Sequence, residues 1–141
     1  MQGLKESRKE SKLAKLNVAG NNISPVGATA VAAMVAVTGG LTALDLSFND
    51  LNDEGVSAVC KAIQSNKETR LVSLNFKNNG IGPGGANAVA AMVAVTGALT
   101  SLNLSNNELC GLTFIGGTYT AVGIKAIANA LRSNGALTKI E

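Results

Sequence analysis

The sequence predicts an α/β fold: a right-handed solenoid, a segment of a horseshoe, with a parallel sheet on its concave side and helices on its convex side. Three observations predict it. Four similar runs open on Leu13, Leu41, Leu71 and Leu99, spaced 28, 30 and 28 residues apart. Each run closes on an asparagine: Asn21, Asn49, Asn79 and Asn107. The ten residues from Ala30 to Gly39 recur unchanged from Ala88 to Gly97. Self-similarity at a fixed period of this size is the signature of stacked units, none of which can bury its apolar face alone.

Each run begins with a strand. Leu16 and Val18, Leu44 and Leu46, Leu74 and Phe76, and Leu102 and Leu104 alternate with polar neighbours, the pattern of a strand with one buried face. Phe76 takes a place that leucine or valine holds in the other runs. The asparagine then ends the strand. A buried amide there has two donors and an acceptor for the turning backbone of its own and the adjacent unit, so the four asparagines are expected to form a structural ladder. Ile23, Leu51, Ile81 and Leu109 follow two places later in every run.

A glycine follows in three runs (Gly27, Gly55 and Gly85) and leads into helical patterns over Ala28–Thr38, Val56–Ser65 and Ala86–Thr96, with a fourth over Ile124–Ser133. Val56, Val59, Cys60 and Ile63 show the helical spacing. Gly39, Gly97 and Gly135 are expected to take the left-handed turn that closes a helix. Strand, helix and parallel strand in succession give right-handed crossovers. Helices are wider than strands, so the stack must bend. The expected organisation is one domain over 1–141: a partial repeat 1–12, repeats 13–40, 41–70, 71–98 and 99–136, and a partial repeat 137–141.

The four runs match L-x-x-L-x-L-x-x-N-x-L, and in this the chain resembles leucine-rich repeat proteins of the ribonuclease-inhibitor-like class. Gly123–Ile140 is similar to the helix-to-strand half of repeats in nucleotide-binding immune receptors and Ran GTPase-activating proteins. The resemblance covers about residues 4–141. It implies a concave sheet that grips a protein partner. Two departures stand out. Leu99 to Leu137 spans 38 residues, with the extra length in 110–122. Polar caps are absent from both ends. The chain is therefore expected to be a piece of a larger repeat protein, or to pair its ends with another molecule, a second copy included.

Composition narrows the function. Apolar residues are 46% of the chain but aromatics only 3%, which suits thin aliphatic layers. No histidine is present to serve as a general base or metal ligand. Lys5, Arg8, Lys9, Lys12 and Lys15 stand against Glu6 and Glu10, so the first 16 residues hold the whole net charge of +3. The rest is neutral and offers no basic stripe for nucleic acid. The apolar stretch 26–37 is too short to span a bilayer. Cys60 and Cys110 lie in no pairing motif, which fits a reducing, cytoplasmic setting.

No catalytic, metal or cofactor site is expected. Gly80-Ile81-Gly82-Pro83-Gly84-Gly85 contains G-x-G-x-x-G between a strand and a helix, with Glu108 downstream. But Ile81 and Gly85 are repeat positions, and Pro83 removes an N–H where a phosphate needs donors. Asp50, Asp53 and Glu54 share one turn without the spacing of a calcium loop. A helix N-terminus accounts for the last two.

The candidate partner-binding residues lie on the concave side and in the long loop. Asn17, Asp45, Asn75 and Asn103 form a polar row across the sheet, which reads as a contact surface or as mere solubility. Phe48 and Lys77 follow the strands, and Ser105 points outward with them. Phe114 and Tyr119 sit with Leu112 and Ile115 in the loop, which either packs over the sheet edge or projects toward a partner. The expected function is protein–protein interaction by a non-enzyme. The alternatives are regulation of a GTPase or other enzyme, which needs an arginine beside the sheet (Arg8, Arg70 and Arg132 are available), and a structural part of a larger repeat receptor.

Overall fold

The computed structural model describes residues 13–113 and 115–141. Its elements alternate as the repeats predict. Strand β1 (Lys15–Asn17) leads to helix α1 (Ser24–Val35), β2 (Ala43–Asp45) to α2 (Asn52–Ser65), and β3 (Ser73–Asn75) to α3 (Pro83–Val93). Then come β4 (Ser101–Asn103), a small β5 (Leu112–Thr113) and β6 (Gly116–Gly117), α4 (Val122–Ser133) and β7 (Lys139–Ile140). β1, β2, β3, β4 and β7 form one sheet in that order, every pairing parallel. The register is the repeat register: Leu16 stands beside Leu44, Leu44 beside Leu74, Leu74 beside Leu102, and Leu102 beside Ile140.

The core is the seam between sheet and helices. Leu41, Leu44, Leu46 and Leu51 are buried, as are Leu71, Leu74, Phe76 and Ile81, and Leu99, Leu102 and Leu104. Phe76 is fully enclosed and so completes the layer that the aliphatics make elsewhere. Burying one such side chain contributes roughly 1.5–3 kcal/mol. The layer loosens at the first coil, where Leu16, Val18 and Ile23 are only partly covered, while Leu44, Leu46 and Leu51 one coil later are buried.

The helices begin earlier than the sequence pattern suggests. Gly27, Gly55 and Gly85 lie inside α1, α2 and α3 and do not precede them. Their role is packing. A Cβ on Gly55 would stand 3.0 Å from the Cβ atoms of Ala28 and Leu51. One on Gly85 would stand 2.7 Å from Ile81 Cγ2, and one on Gly123 in α4 would stand 2.7 Å from Ala86 Cβ. Glycine at this place lets α2, α3 and α4 approach the coil before them.

The helix ends also differ from expectation. Gly39, Gly97 and Gly135 are not left-handed; that conformation occurs instead in the passage from strand to helix, at Gly20, Phe48, Asn78 and Asn106 before the ladder asparagines and at Asn22, Ser24, Asp50, Asn52 and Gly80 after them. α1 and α3 stop at Val35 and Val93, and the hydroxyls of Thr38 and Thr96 donate back to the carbonyls of Met34 (2.7 Å) and Met92 (3.0 Å). The partial repeat expected over 1–12 lies outside the described part of the chain.

Candidate functional site

The asparagine ladder is built from both ends of each side chain. Asn49 Oδ1 accepts the backbone N–H of Asn21 (2.8 Å) and Ile23 (3.3 Å), while its Nδ2 donates to the carbonyls of Val18, Leu46 and Ser47. Asn79 repeats this one coil on, accepting from Asn49 and Leu51 and donating to Leu46, Phe76 and Lys77. Asn107 accepts from Asn79 (2.9 Å) and Ile81 (3.0 Å). Asn49 and Asn79 are buried and Asn107 half-buried, whereas Asn21 at the first coil is exposed. These groups satisfy turns that would otherwise hold orphaned amides, so they carry structure and leave nothing for a ligand.

A second asparagine pair was hidden in the sequence. Asn66 and Asn134 end α2 and α4 in extended conformation. Asn66 Nδ2 donates to the carbonyls of Val35 (2.9 Å) and Thr38 (3.0 Å) of the preceding coil, and Asn134 Nδ2 does the same to Val93 and Thr96. Asn134 beside Gly135 resembles an ordinary helix stop. The signal that distinguishes it is the shared Ser65-Asn66 and Ser133-Asn134 at the ends of alternate helices.

The polar row lies where the register requires. Asn17 pairs with Asp45, Asp45 with Asn75 and Asn75 with Asn103. Each of these side chains also closes its own strand. Asn17, Asp45, Asn75 and Asn103 each accept the N–H two residues on, from Ala19, Ser47, Lys77 and Ser105, at 2.9–3.0 Å. These are Asx turns, which sequence reading missed by weighing only contact against solubility. Ser105 is half-buried, and its Oγ donates to Asn103 Oδ1 (2.6 Å); it is not a free surface hydroxyl. Asn103 Nδ2 also donates to Glu141. The second carboxylate oxygen of Asp45 and the Nδ2 of Asn75 have no protein partner among the described residues, and both residues are half-buried.

Phe48 and Lys77 come together. The Lys77 ammonium lies 5.7 Å from the Phe48 ring centroid, within cation–π reach, and the Phe48 N–H donates to the Lys77 carbonyl (3.0 Å). Phe48 is 49% exposed.

The long loop is a hairpin. β5 and β6 pair antiparallel, with Leu112 opposite Gly117 and Thr113 opposite Gly116. Gly111 and Gly117 lie so close to the facing strand that a side chain would strike the Thr118 and Gly111 carbonyls. Ile115 at the tip is 95% exposed, and Leu112 and Tyr119 are exposed as well. These three side chains are not packed into the core. Phe114 lies outside the described residues.

The glycine-rich turn is occupied by the protein itself. Asp53 Oδ1 accepts the N–H of Gly82 (2.6 Å), a bridge from α2 to the next coil. Asp53 thus serves the stack as well as the first turn of its helix. An open cavity of about 540 Å³ lies beside them, lined by Asn52, Asp53, Glu54, Pro83, Glu108 and Thr113 among others. Cys60 is fully buried, and desolvation pushes its thiol far above the ordinary range. Cys110 is a half-buried free thiol.

Sequence profiles of the leucine rich repeat match residues 10–32, 41–60 and 69–90, and a second such profile matches 98–117. The chain belongs to the leucine-rich repeat proteins. Its repeats are of the ribonuclease-inhibitor-like class. It is 36% identical over 104 residues to RAN GTPase-activating protein 2 of Arabidopsis thaliana, a match covering 74% of this chain and 18% of that protein. It is 36% identical over 69 residues to NACHT, LRR and PYD domains-containing protein 4E of Mus musculus, covering 49% of this chain and 7% of that one. The repeat domain thus corresponds to less than a fifth of either relative. Among solved structures it is similar to a leiomodin-1 actin-binding site 2 (TM-score 0.75, 18% identity, 99% of this chain and 76% of that one). It is also similar to the tropomodulin C-terminal domain of Caenorhabditis elegans (TM-score 0.76, 13% identity, 99% and 79%). At these identities the likeness is one of fold. No helix among the described residues is long and apolar enough to cross a membrane.

Proposed function

We propose that this repeat domain is a non-enzymatic protein-binding module that grips a partner on its concave sheet, with the Leu112–Gly117 hairpin as a second contact. One observation carries the reading: Asp45 and Asn75 stand side by side in the sheet, and the turns that follow their strands bring together an exposed aromatic residue and an ammonium group, Phe48 and Lys77. Polar groups fixed by their own turns are preorganised, so a partner meets them at little entropic cost. The partner is a protein and not nucleic acid or membrane, because the described body of the chain has no concentration of basic charge. Repeats 13–40, 41–70, 71–98 and 99–136 form the single domain of this reading, and its two free thiols suit a cytoplasmic setting. The outermost coils can also stack on further repeats, in a longer chain or in a second copy.

The test is affinity capture with variants on opposite faces. Asp45→Lys and Lys77→Glu alter the concave side, and Lys61→Glu on α2 alters an exposed residue of the convex side. The captured proteins should be lost with the first two and retained with the third. Equal capture by all would contradict the reading.

The match to RAN GTPase-activating protein 2 favours a second reading, regulation of a GTPase. Arg70 in the exposed turn between α2 and β3 is the arginine nearest the sheet in sequence. The measurement is GTP hydrolysis by Ran with the chain added, and then with Arg70→Ala. An unchanged rate with the native chain would remove this reading.

A further inference from the structure

We propose that Phe48 is the anchor of the concave interface, held in a strained backbone conformation for contact, and that with Lys77 it receives a protein segment bearing a carboxylate beside an apolar side chain. The inference rests on the concave-face reading and adds the chemistry of what binds there. The turn that ends each strand requires a left-handed residue just before the ladder asparagine. Gly20, Asn78 and Asn106 take that place with φ of 69°, 56° and 55°. These are the residue types that tolerate it. The second coil puts phenylalanine there, with φ of 58°. Phe48 has no local freedom to escape, because its N–H is tied to the Lys77 carbonyl just as the N–H of Gly20 is tied to Ser47 and that of Asn78 to Ser105. A bulky residue in this region is a genuine outlier.

Burial does not repay the strain, since Phe48 as a residue is about half exposed. The one interaction at hand is the Lys77 ammonium at 5.7 Å, a weak one at an exposed site. Lys77 in turn has no carboxylate in ion-pair distance among the described residues. An exposed aromatic beside an unpaired cation, on a face otherwise made of small polar side chains, is the arrangement of an interface anchor. The ring offers apolar surface and the ammonium offers charge. A leucine next to an aspartate satisfies both at once.

Two measurements on the full chain test this. The first is thermal unfolding of Phe48→Asn in the native and the Lys77→Ser backgrounds. Relief of strain should raise the midpoint by about 3 °C, most clearly with Lys77→Ser, where no cation–π contact is lost. A lowered midpoint in both backgrounds would overturn the proposal, since the ring would then be structural. The second is nuclear magnetic resonance titration with the peptide acetyl-Leu-Asp-Leu-amide, and with its Leu-Lys-Leu counterpart as control. Shifts should centre on residues 45–48 and 75–78, be severalfold larger for the acidic peptide, and vanish in Phe48→Asn. Shifts that persist unchanged in Phe48→Asn, or that do not distinguish the two peptides, would overturn the anchor while leaving the concave face standing. Shifts confined to α2 and α3 would overturn the concave-face reading itself.

Discussion

The side-chain oxygen of Asn79 accepts the backbone N–H of Asn49, thirty residues earlier in the chain, at 3.1 Å. Through this contact the end of one strand is held by the end of the next, and both groups are buried. The arrangement predicts a gradient of cost along the ladder. Asn79→Ala orphans the buried N–H groups of Asn49 and Leu51, and should cost the upper part of about 1–3 kcal/mol. Among the described residues, Asn21→Ala removes bonds from an exposed Nδ2 to Val18 and Ala19, and should cost less than about 1 kcal/mol. Urea denaturation of the two variants checks this; equal losses would contradict the ladder.

The helix seam gives an opposite-sign prediction. Alanine is intrinsically better than glycine in a helix by about 1 kcal/mol. At Gly123, however, a Cβ would meet Ala86 Cβ at 2.7 Å and the Leu109 carbonyl at 2.9 Å. Gly123→Ala should therefore destabilise, by about 1–3 kcal/mol from overpacking. A higher melting midpoint would show that the helices have slack.

Much of this was legible in the sequence. Periodicity specified the parallel register, the buried leucines and the ladder, because each is repeated and a repeated feature stands out from chance. What it misplaced were the helix boundaries. Gly27, Gly55 and Gly85 read as breakers before a helix, while they lie inside α1, α2 and α3, and Gly55 and Gly85 let their helices close against the preceding coil. That role depends on contacts across coils that no single repeat displays. The Asx turns of Asn17, Asp45, Asn75 and Asn103 escaped for a different reason: a polar residue at a strand end looks the same whether it serves its own backbone or a partner. The strain at Phe48 lies in a dihedral angle, and only the comparison with Gly20, Asn78 and Asn106 locates it.

Cys60 couples stability to pH. Its thiol is raised by burial and stays neutral in the folded chain, while in the unfolded chain it ionises near its ordinary value of about 8.5. A raised folded pKa leaves stability intact below the unfolded value and erodes it above. Stability should therefore fall with rising pH above about 8.5, by roughly 1.4 kcal/mol per unit from this group. The difference in unfolding free energy between the native chain and Cys60→Val isolates it. A difference independent of pH up to about 10 would contradict the burial.

The hairpin should be separable from the stack. Ile115→Ser and Tyr119→Ser alter side chains that face solvent, and each should change stability by no more than about 0.5 kcal/mol. Loss of capture with intact melting identifies the hairpin as a contact; a large drop in melting midpoint would mean it covers the core.

Hydrogen–deuterium exchange of the domain with and without its captured partner addresses the concave-face account most directly. Binding there should slow exchange in the strand-and-turn segments 43–48, 73–78 and 101–106 and leave the outward surfaces of α2 and α3 unchanged. Protection confined to those helices, with the strand ends exchanging as before, would contradict it.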